Sequence, residues 1–324
     1  VKRGDTEIVL DGRLPFSWHL EDKSGTRPGL IPDGQITLGG RIENTPLAFF
    51  LPLVDEYRRG TAAPTPAPAA EDLFRWASLK AEGAVNSAVS LTGTVRNPTV
   101  RGFLKLDNGT IQPKQWARAL TDLKADLQFS GQGGANLVQV ASVAGRYDQT
   151  RGELTGRVGV QSFAVRDLWR NAMDLRLALA ADQQSLPGGT DLRGLKGALT
   201  LRTEDGAQVL RPEGLQVKVG GGDAELTGEA RLREFRLARL AQNQFGLQLK
   251  LAPGRVRYRP YLDATVQGVM QLVTPPGQDR ARLTGNWQAA DGVIGLVAPA
   301  AGLNTFAALD SHIPAPVLDL TLGL

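Results

Sequence analysis

The stretch Phe245-Gly-Leu-Gln-Leu-Lys-Leu251 has an apolar residue at every second position and a polar or small residue between. Successive side chains of a β-strand point to opposite faces of a sheet, so this pattern predicts a strand with one apolar and one polar face. A strand buried on both faces would be a continuous apolar run, and such runs are nearly absent. The sequence therefore favours a mainly β chain over doubly wound or TIM-barrel enzyme folds. The same alternation recurs in residues 123–129, 173–179, 215–219 and 318–324.

The composition is typical of many short strands joined by turns. The 324 residues include 38 glycines and 19 prolines, and 42% are hydrophobic but only 6% aromatic, so Leu, Val and Ala must fill the interior. Because the chain has no cysteine, disulfide frameworks and thiolate nucleophiles or ligands are excluded. A net charge of +4, with Lys and Arg interspersed among Asp and Glu, argues against a nucleic-acid partner. The chain contains no apolar run of the length, about 18 residues, that predicts a membrane-spanning helix.

A second pattern, Leu-x-Gly-x followed in most copies by an apolar residue, recurs six times. Its glycines fall on the same alternate positions of the strand as the apolar residues, which we call the apolar parity; the positions between them are the polar parity. A missing side chain on the apolar parity suits a bulge, a bend or a close neighbouring strand. The middle residue is Thr in the last four copies. We expect each copy to mark a strand that changes direction or approaches its neighbour closely. The six glycines are Gly12, Gly40, Gly93, Gly156, Gly228 and Gly285.

The sequence also contains one internal repeat. Shifting residues 125–168 by 72 onto 197–240 aligns nine identical residues in 44 positions without a gap. Such copies fit an architecture that grows by adding strands. The glycine cluster at Gly220–Gly222 fails the dinucleotide-binding pattern and predicts a turn between strands, and Asn108-Gly109-Thr110 predicts a hairpin turn.

Helical periodicity is scarce and short. We predict helices of about two turns near residues 165–172 and 237–241, and a third apolar segment over 46–59 that Pro52 would interrupt. That third segment either covers the core or contacts lipid. Residues 61–70 alternate Pro with small residues, which predicts an extended linker or a loop excursion. The predicted organisation is therefore a first part of the sheet with a short apolar helix (1–60), this linker (61–70), and a continuing repetitive sheet (71–324).

The sequence offers little chemistry for catalysis. It has no nucleophile elbow, phosphate-binding loop or His-Glu-x-x-His motif, and its two histidines, His19 and His312, lie near opposite ends of the chain. Two facing acids on a β-helix could cleave polysaccharides. However, the carboxylates fall on the polar parity or in turns. We therefore predict a protein that is not an enzyme, with no catalytic residue, no metal site and no cofactor.

A sheet with one apolar face must fold onto itself, close into a barrel, or curl into a trough that holds something apolar. The trough corresponds to an elongated, curled antiparallel sheet with a few short helices. About twenty strands spaced by about 4.8 Å would make it on the order of 100 Å long. Its hydrophobic interior would accept acyl chains. The candidate groove-lining residues, all on the apolar parity, are Leu127, Phe129, Leu175, Leu177, Leu179, Leu215, Val217, Val219, Leu226, Leu247, Leu249 and Leu251.

The phrase Val95-Arg-Asn-Pro-Thr-Val-Arg-Gly-Phe-Leu-Lys-Leu106, followed by Asp107-Asn-Gly109, resembles the TamB group of the AsmA-like superfamily. The Leu-Thr-Gly motifs strengthen the resemblance, and looser echoes cover most of the chain. It implies a taco-like β-sheet with a hydrophobic interior, in a protein of the periplasm that is anchored to the inner membrane. The implied function is phospholipid transport to the outer membrane or assistance in outer-membrane protein assembly, and the implied family has no catalytic residues. We expect this chain to be an internal segment of such a protein.

Two functions compete at this point. In the first, the apolar face conducts phospholipid or another acyl-chain lipid. In the second, the chain is a docking scaffold, and an exposed strand such as the one around Leu320 pairs with an outer-membrane β-barrel partner by strand addition.

Overall fold

A computed structural model describes most of the chain, and only the backbone is described for β1, β3, β4, β18 and a few residues at other strand ends. The described residues are 2–3, 6–19, 27–31, 33–51, 80–112, 118–132, 135–161, 170–185, 189–232, 243–258, 262–278, 281–294 and 317–323.

Nearly all described residues belong to eighteen β-strands, and one short 3₁₀ helix, Leu47–Phe49, follows the fifth. The prediction of a mainly β chain built on antiparallel sheet is confirmed. In chain order the strands are β1 (Lys2–Arg3), β2 (Thr6–Arg13), β3 (Phe16–His19), β4 (Arg27–Leu30), β5 (Gln35–Pro46), β6 (Lys80–Thr94), β7 (Pro98–Gln112), β8 (Leu120–Gln132), β9 (Ala135–Tyr147), β10 (Thr150–Val160), β11 (Ala172–Ser185), β12 (Asp191–Glu204), β13 (Ala207–Val219), β14 (Gly222–Leu232), β15 (Gln244–Tyr258), β16 (Leu262–Val273), β17 (Arg282–Ile294) and β18 (Val317–Gly323).

The strands group into two compact units, and β10 is divided between them. In the first unit the sheet order is β1-β2-β5-β6-β7-β8-β9, and β3 and β4 form a separate two-stranded sheet. In the second unit the order is β11 to β18 without a crossover. The strand pairings whose register is described are antiparallel except that of β17 with β18, which is parallel.

Tight turns join consecutive strands where glycine and aspartate provide a positive φ. Asp205 and Gly206 connect β12 to β13 with φ of 51° and 74°, and Gly220 and Gly221 connect β13 to β14 with φ of 56° and 93°. Two-residue hairpin turns of the mirror-image type require a positive φ at both residues. The prediction of a turn at Gly220–Gly222 is therefore confirmed.

The predicted hairpin turn at Asn108 is wrong. Asn108 lies inside β7 and not between strands, although it does have a positive φ of 51°. The pairings of β7 with both of its neighbours shift register here, which is the signature of a β-bulge. An Asn-Gly pair serves either structure, because both need a residue that tolerates the left-handed region.

Four of the six Leu-x-Gly-x glycines adopt a φ that other residues rarely reach. The values are 146° at Gly12, 96° at Gly93, 131° at Gly156 and 104° at Gly228. A Cβ atom added at Gly228 would overlap the carbonyl oxygen of Gly246 in the neighbouring strand. A Cβ atom at Gly12 would likewise overlap the carbonyl oxygen of Thr37, so Gly12 and Gly228 permit a local approach of strands that a side chain would prevent, as expected from their parity.

The 72-residue repeat corresponds to a set of four strands. Ala135–Tyr147 and Thr150–Val160 fall by that shift on Ala207–Val219 and Gly222–Leu232, whose bounds match residue for residue. The match continues beyond the region recognised from sequence, because Leu175, Leu177 and Leu179 of β11 fall on Leu247, Leu249 and Leu251 of β15. The set β8 to β11 is thus repeated as β12 to β15.

A matched hydrogen bond also begins the last strand of each set. The amide of Met173 donates to Oγ1 of Thr203 at 2.7 Å, and the amide of Phe245 donates to Oγ1 of Thr274 at 3.1 Å. Two residues before each amide is a buried asparagine, Asn171 or Asn243.

Three predicted features lie wholly or partly outside the described residues. They are the helices predicted near 165–172 and 237–241 and the linker at 61–70. Of the apolar segment 46–59, the structure describes the 3₁₀ helix and two residues after it, including buried Leu51.

Candidate functional site

The register of the second unit places ten of the twelve candidate lining residues on one face of its sheet. Residues directly opposite each other in an antiparallel pair share a face, so successive pairings can be followed across the sheet. We call a series of residues that lie opposite one another in successive strands a row. In the rows of this face each pairing joins apolar residues or glycine, and no residue is charged. The rows are Leu175–Leu201–Leu210–Ala230–Phe245 across β11 to β15, Gly228–Leu247–Leu272–Leu283 across β14 to β17, Leu215–Leu226–Leu249–Met270–Gly285 across β13 to β17, and Val217–Ala224–Leu251–Gly268–Trp287 across the same strands.

The remaining candidates of this unit extend the same face. Leu177 lies opposite Leu199, Leu179 lies opposite Gly197, and Val219 ends the row of residues that alternate with Lys218 and Gln216. By register alone, β18 continues the pattern, since Leu320 pairs with Gly285 and Leu322 with Trp287.

The last two candidates, Leu127 and Phe129, belong to a comparable face of the first unit. Leu127 begins the row Leu127–Leu104–Ser87–Ile42–Ile8, and Phe129 begins the row Phe129–Gly102–Val89–Gly40–Leu10. The hydroxyl of Ser87 does not interrupt the apolar character, because it donates to the carbonyl of Phe103 at 2.8 Å.

Burial distinguishes this face from both a sealed core and a bare surface. Of the twelve candidates, Leu251 alone is buried, with 8% of its surface exposed, and the other eleven are half-buried. In a closed sandwich most inward leucines would be fully buried. The candidate face therefore presents apolar surface that the described residues cover only in part.

The opposite face of the second unit is a lattice of ion pairs. Nε of Arg202 lies 3.1 Å from the carboxylate of Asp174, and Nζ of Lys218 lies 2.8 Å from that of Asp223. Arg176 pairs with Glu213. These charges keep the outer face solvated.

Arg211 is the centre of the lattice, because it bridges two glutamates from different strands. Its Nη2 lies 2.7 Å from Glu204 and 2.9 Å from Glu229, and Arg231 contacts Glu229 at 3.0 Å. The hydrogen bond from Arg211 lowers the pKa of Glu204 below its ordinary value of 4.5. Arg231 and Arg211 together lower the pKa of Glu229 in the same direction.

Three carboxylates of the second unit each have a polar partner. Asp174 pairs with Arg202, Asp191 accepts from Ser185 at 3.0 Å, and Asp263 pairs with Arg255 at 2.6 Å, which lowers the pKa of Asp263. Among the described residues, no three His, Asp or Glu side chains are grouped as a metal site would require.

One feature of the second unit was not anticipated from sequence: a set of hydrogen bonds that we call the clasp. It joins the start of β12 to the end of β15, although β13 and β14 lie between these strands in the sheet. The hydroxyl of Thr190 donates to the carbonyl of Arg257 and accepts from the amide of the same residue, both at 2.7 Å. The amide of Gly220 donates to the carbonyl of Asp191 at 2.9 Å. The amide of Arg255 donates to the carbonyl of Gly220 at 2.8 Å.

The clasp forms because β15 bends across the tip of the β13–β14 hairpin. The pairing of β15 with β16 shifts register between Leu251 and Gly254. A Cβ atom at Gly220 or Gly222 would overlap backbone atoms of β15, and one at Gly254 would overlap the carbonyl oxygen of Val219 in the hairpin. The crossing therefore depends on glycine at all three positions. The sequence signal is Ala252-Pro253-Gly254, which ends the alternation immediately after Leu251.

A second unanticipated feature is a side chain that makes the hydrogen bonds a neighbouring strand would make. In the first unit, Oδ1 of buried Asn136 accepts from the amide of Val100 at 2.7 Å, and its Nδ2 donates to the carbonyl of Pro98 at 2.8 Å. The side-chain amide thus supplies to β7 the donor and acceptor that a neighbouring peptide group would provide.

A depression of about 450 Å³ lies on the polar side of the first unit. It arises where Gly39, Ala88 and Ser90 are small, between the larger side chains of Val9, Arg41 and Arg101. Nε of Arg101 donates to the carbonyl of Gly131 at 2.8 Å. Gly40, Val89 and Gly102 of the row through Phe129 also border the depression, so it lies next to the candidate face of this unit.

Comparison of the chain with protein-family models, with curated proteins and with solved structures finds no match in any of the three. The resemblance to the TamB group therefore remains a prediction from sequence. No helix among the described residues is both long and apolar enough to cross a membrane.

Proposed function

We propose that the apolar faces of both units bind the acyl chains of phospholipids, and that the chain acts as part of a lipid-conducting protein of the bacterial cell envelope. The observation that carries the proposal is the partial exposure of eleven of the twelve candidate residues along uncharged rows. Exposed apolar surface that is contiguous and bordered by polar residues is typical of a binding surface.

The size of the face suits an acyl chain. The seven strands β11 to β17 span about 29 Å at a spacing of about 4.8 Å. The hydrocarbon core of a bilayer is about 30 Å thick, so the acyl chains of one leaflet extend about 15 Å. A chain lying along one row would therefore find apolar partners over its whole length.

The energetics also suit reversible binding. Burial of apolar surface contributes about 0.8 kcal/mol per CH₂, so covering about eight CH₂ groups would contribute roughly 6 kcal/mol before the cost of ordering the chain. Because the rows have no charged group to fix a chain at one position, and the hydroxyl of Ser87 is already bonded to the carbonyl of Phe103, this contribution would be similar at neighbouring positions. Such a surface favours movement of lipid along the rows.

The cellular role follows from the resemblance to the TamB group. The proposed role is phospholipid transport between the inner and outer membranes across the periplasm, by a full-length protein anchored to the inner membrane. The alternative is a scaffold that captures an outer-membrane β-barrel by strand addition, and β18, which has only β17 as a neighbour among the described strands, is its candidate strand.

The test uses adjacent residues on opposite faces of β15. Leu247→Lys places a charge on an apolar row, and Gln248→Lys places the same charge on the polar face. The purified chain is analysed by native mass spectrometry and by lipid extraction after incubation with vesicles of phosphatidylethanolamine and phosphatidylglycerol. We expect bound phospholipid in the parent chain and in Gln248→Lys, and its loss in Leu247→Lys.

Circular dichroism checks that both variants retain the β fold. A folded parent chain that carries no phospholipid would contradict the proposal. The scaffold alternative would then be tested with Leu320→Pro, which removes a backbone donor from β18 and should abolish partner capture.

A further inference from the structure

The clasp divides the apolar face of the second unit into two parts with different packing. Next to it lies a cluster of buried residues, Ala224, Leu251, Ala264 and Val266. Half-buried residues pack against this cluster, among them Val217, Val219, Val256 and Trp287. Among the described residues of this face, Leu251 and Val266 are the only large aliphatic side chains that are buried.

The rows farther from the clasp contain no buried aliphatic side chain larger than Ala. Leu247, Leu272 and Leu283 are half-buried, as are Leu175, Leu201 and Leu210. Their row partners include Gly228 and Ala230, which add little side-chain volume. We call the rows through Leu247 and through Leu175 the open rows, and the row through Leu251 the clasp row.

The two parts cannot bind a ligand equally well. A closely packed cluster admits an added group only by displacing its own side chains, which costs packing energy. The hydrogen bonds of the clasp hold β12, the tip of the β13–β14 hairpin and β15 together next to this cluster, so these strands cannot separate there without breaking the bonds. Half-buried leucines, in contrast, can bury further surface against a ligand without such a loss.

We infer that acyl chains bind to the open rows only, and that the clasp row is a permanent core that limits the groove on this side. This inference rests on the proposed function. It reassigns Val217, Val219 and Leu251 from lining residues to core residues. It keeps Leu175, Leu177 and Leu247 as lining residues, and Leu249 lies at the boundary because it also touches the cluster.

The test compares two tryptophan positions in the same strand and on the same face. Trp287 lies in the clasp row, and Leu283, four residues earlier in β17, lies in an open row. One variant keeps Trp287 and replaces the other four tryptophans with Phe. The second combines the same replacements with Leu283→Trp and Trp287→Phe. The probe is phosphatidylcholine with brominated acyl chains, presented in vesicles, because bromine quenches tryptophan fluorescence on contact.

We expect strong loss of fluorescence for tryptophan at position 283 and little loss at position 287. Adding Thr190→Val removes both bonds between Thr190 and Arg257, so quenching at position 287 should then increase. Equal quenching at the two positions would overturn the inference and leave the proposed function intact. Absence of quenching at both positions, in chains that retain their β circular dichroism, would overturn the proposed function as well.

Discussion

The Leu-Thr-Gly glycine of β14 gives the sharpest test of why glycine recurs on the apolar parity. Gly228 has a φ of 104°, and a Cβ atom there would overlap the carbonyl oxygen of Gly246. Its neighbour provides a matched control, since a Cβ at Gly246 would have the carbonyl oxygen of Glu229 as its nearest contact, at 3.7 Å. Gly228→Ala and Gly246→Ala thus add the same methyl group to adjoining strands, one without room and one with it.

The expected cost of Gly228→Ala follows from these two features. A residue other than glycine in a sparsely populated backbone region costs about 1 to 3 kcal/mol, and the overlap adds to this, so we expect about 2 to 4 kcal/mol in total. Gly246→Ala should change stability by less than about 0.5 kcal/mol. Local stability is measured by amide hydrogen exchange of β14 and β15. A loss of 2 kcal/mol should speed exchange of their protected amides by roughly 30-fold.

Equal exchange rates in the two variants would refute the reasoning. The glycine would then be required neither for its conformation nor for the close approach of the strands. Exchange in β1 to β8 serves as an internal reference for each sample.

Two further predictions concern polar groups that support the sheets. Asn136→Ala removes the hydrogen bonds to Val100 and Pro98 and should lower the free energy of unfolding, measured by denaturant titration, by about 1 to 3 kcal/mol. Gln139→Ala, an exposed change in the same strand, should lower it by less than about 0.5 kcal/mol. Equal midpoints for the two variants would contradict the role of the Asn136 side chain in replacing a neighbouring strand. Because the pKa values of Glu204 and Glu229 are lowered in the folded state, their contribution is fully present above the ordinary value of 4.5 and is lost as the pH falls through the lowered values. Thermal unfolding between pH 7 and pH 3 should therefore show a smaller acid-induced decrease in Arg211→Gln than in the parent chain, and parallel pH profiles would contradict this.

Alternation was sufficient to predict five of the eighteen described strands and the parity of their apolar residues. The five stretches that alternate most clearly lie in β8, β11, β13, β15 and β18. Parity alone assigned the candidate residues to the apolar side, and the pairings then placed ten of them on one face of the second unit. The sequence could not supply the register, because many registers satisfy a period of two.

The features missed from sequence depend on contacts between distant residues. Thr190 and Arg257 are 67 positions apart, and neither has a local signature of a closing contact. Asn136 looks like any polar residue at the start of a strand, yet its partners lie 36 and 38 positions away. The Asn108 bulge was misassigned for a related reason, since a local turn signal does not reveal whether the chain reverses or continues.

The central claim is that lipid contacts one face of the sheet and not the other. Because the chain has no cysteine, a single cysteine introduced at Leu247 or at Gln248 can be labelled uniquely with a polarity-sensitive fluorophore such as acrylodan. The labelled chains are titrated with lysophosphatidylcholine below its micelle concentration. The account predicts a saturable blue shift of emission at position 247 and none at position 248. A shift of equal size at both positions, or none at position 247 in a folded chain, would contradict it.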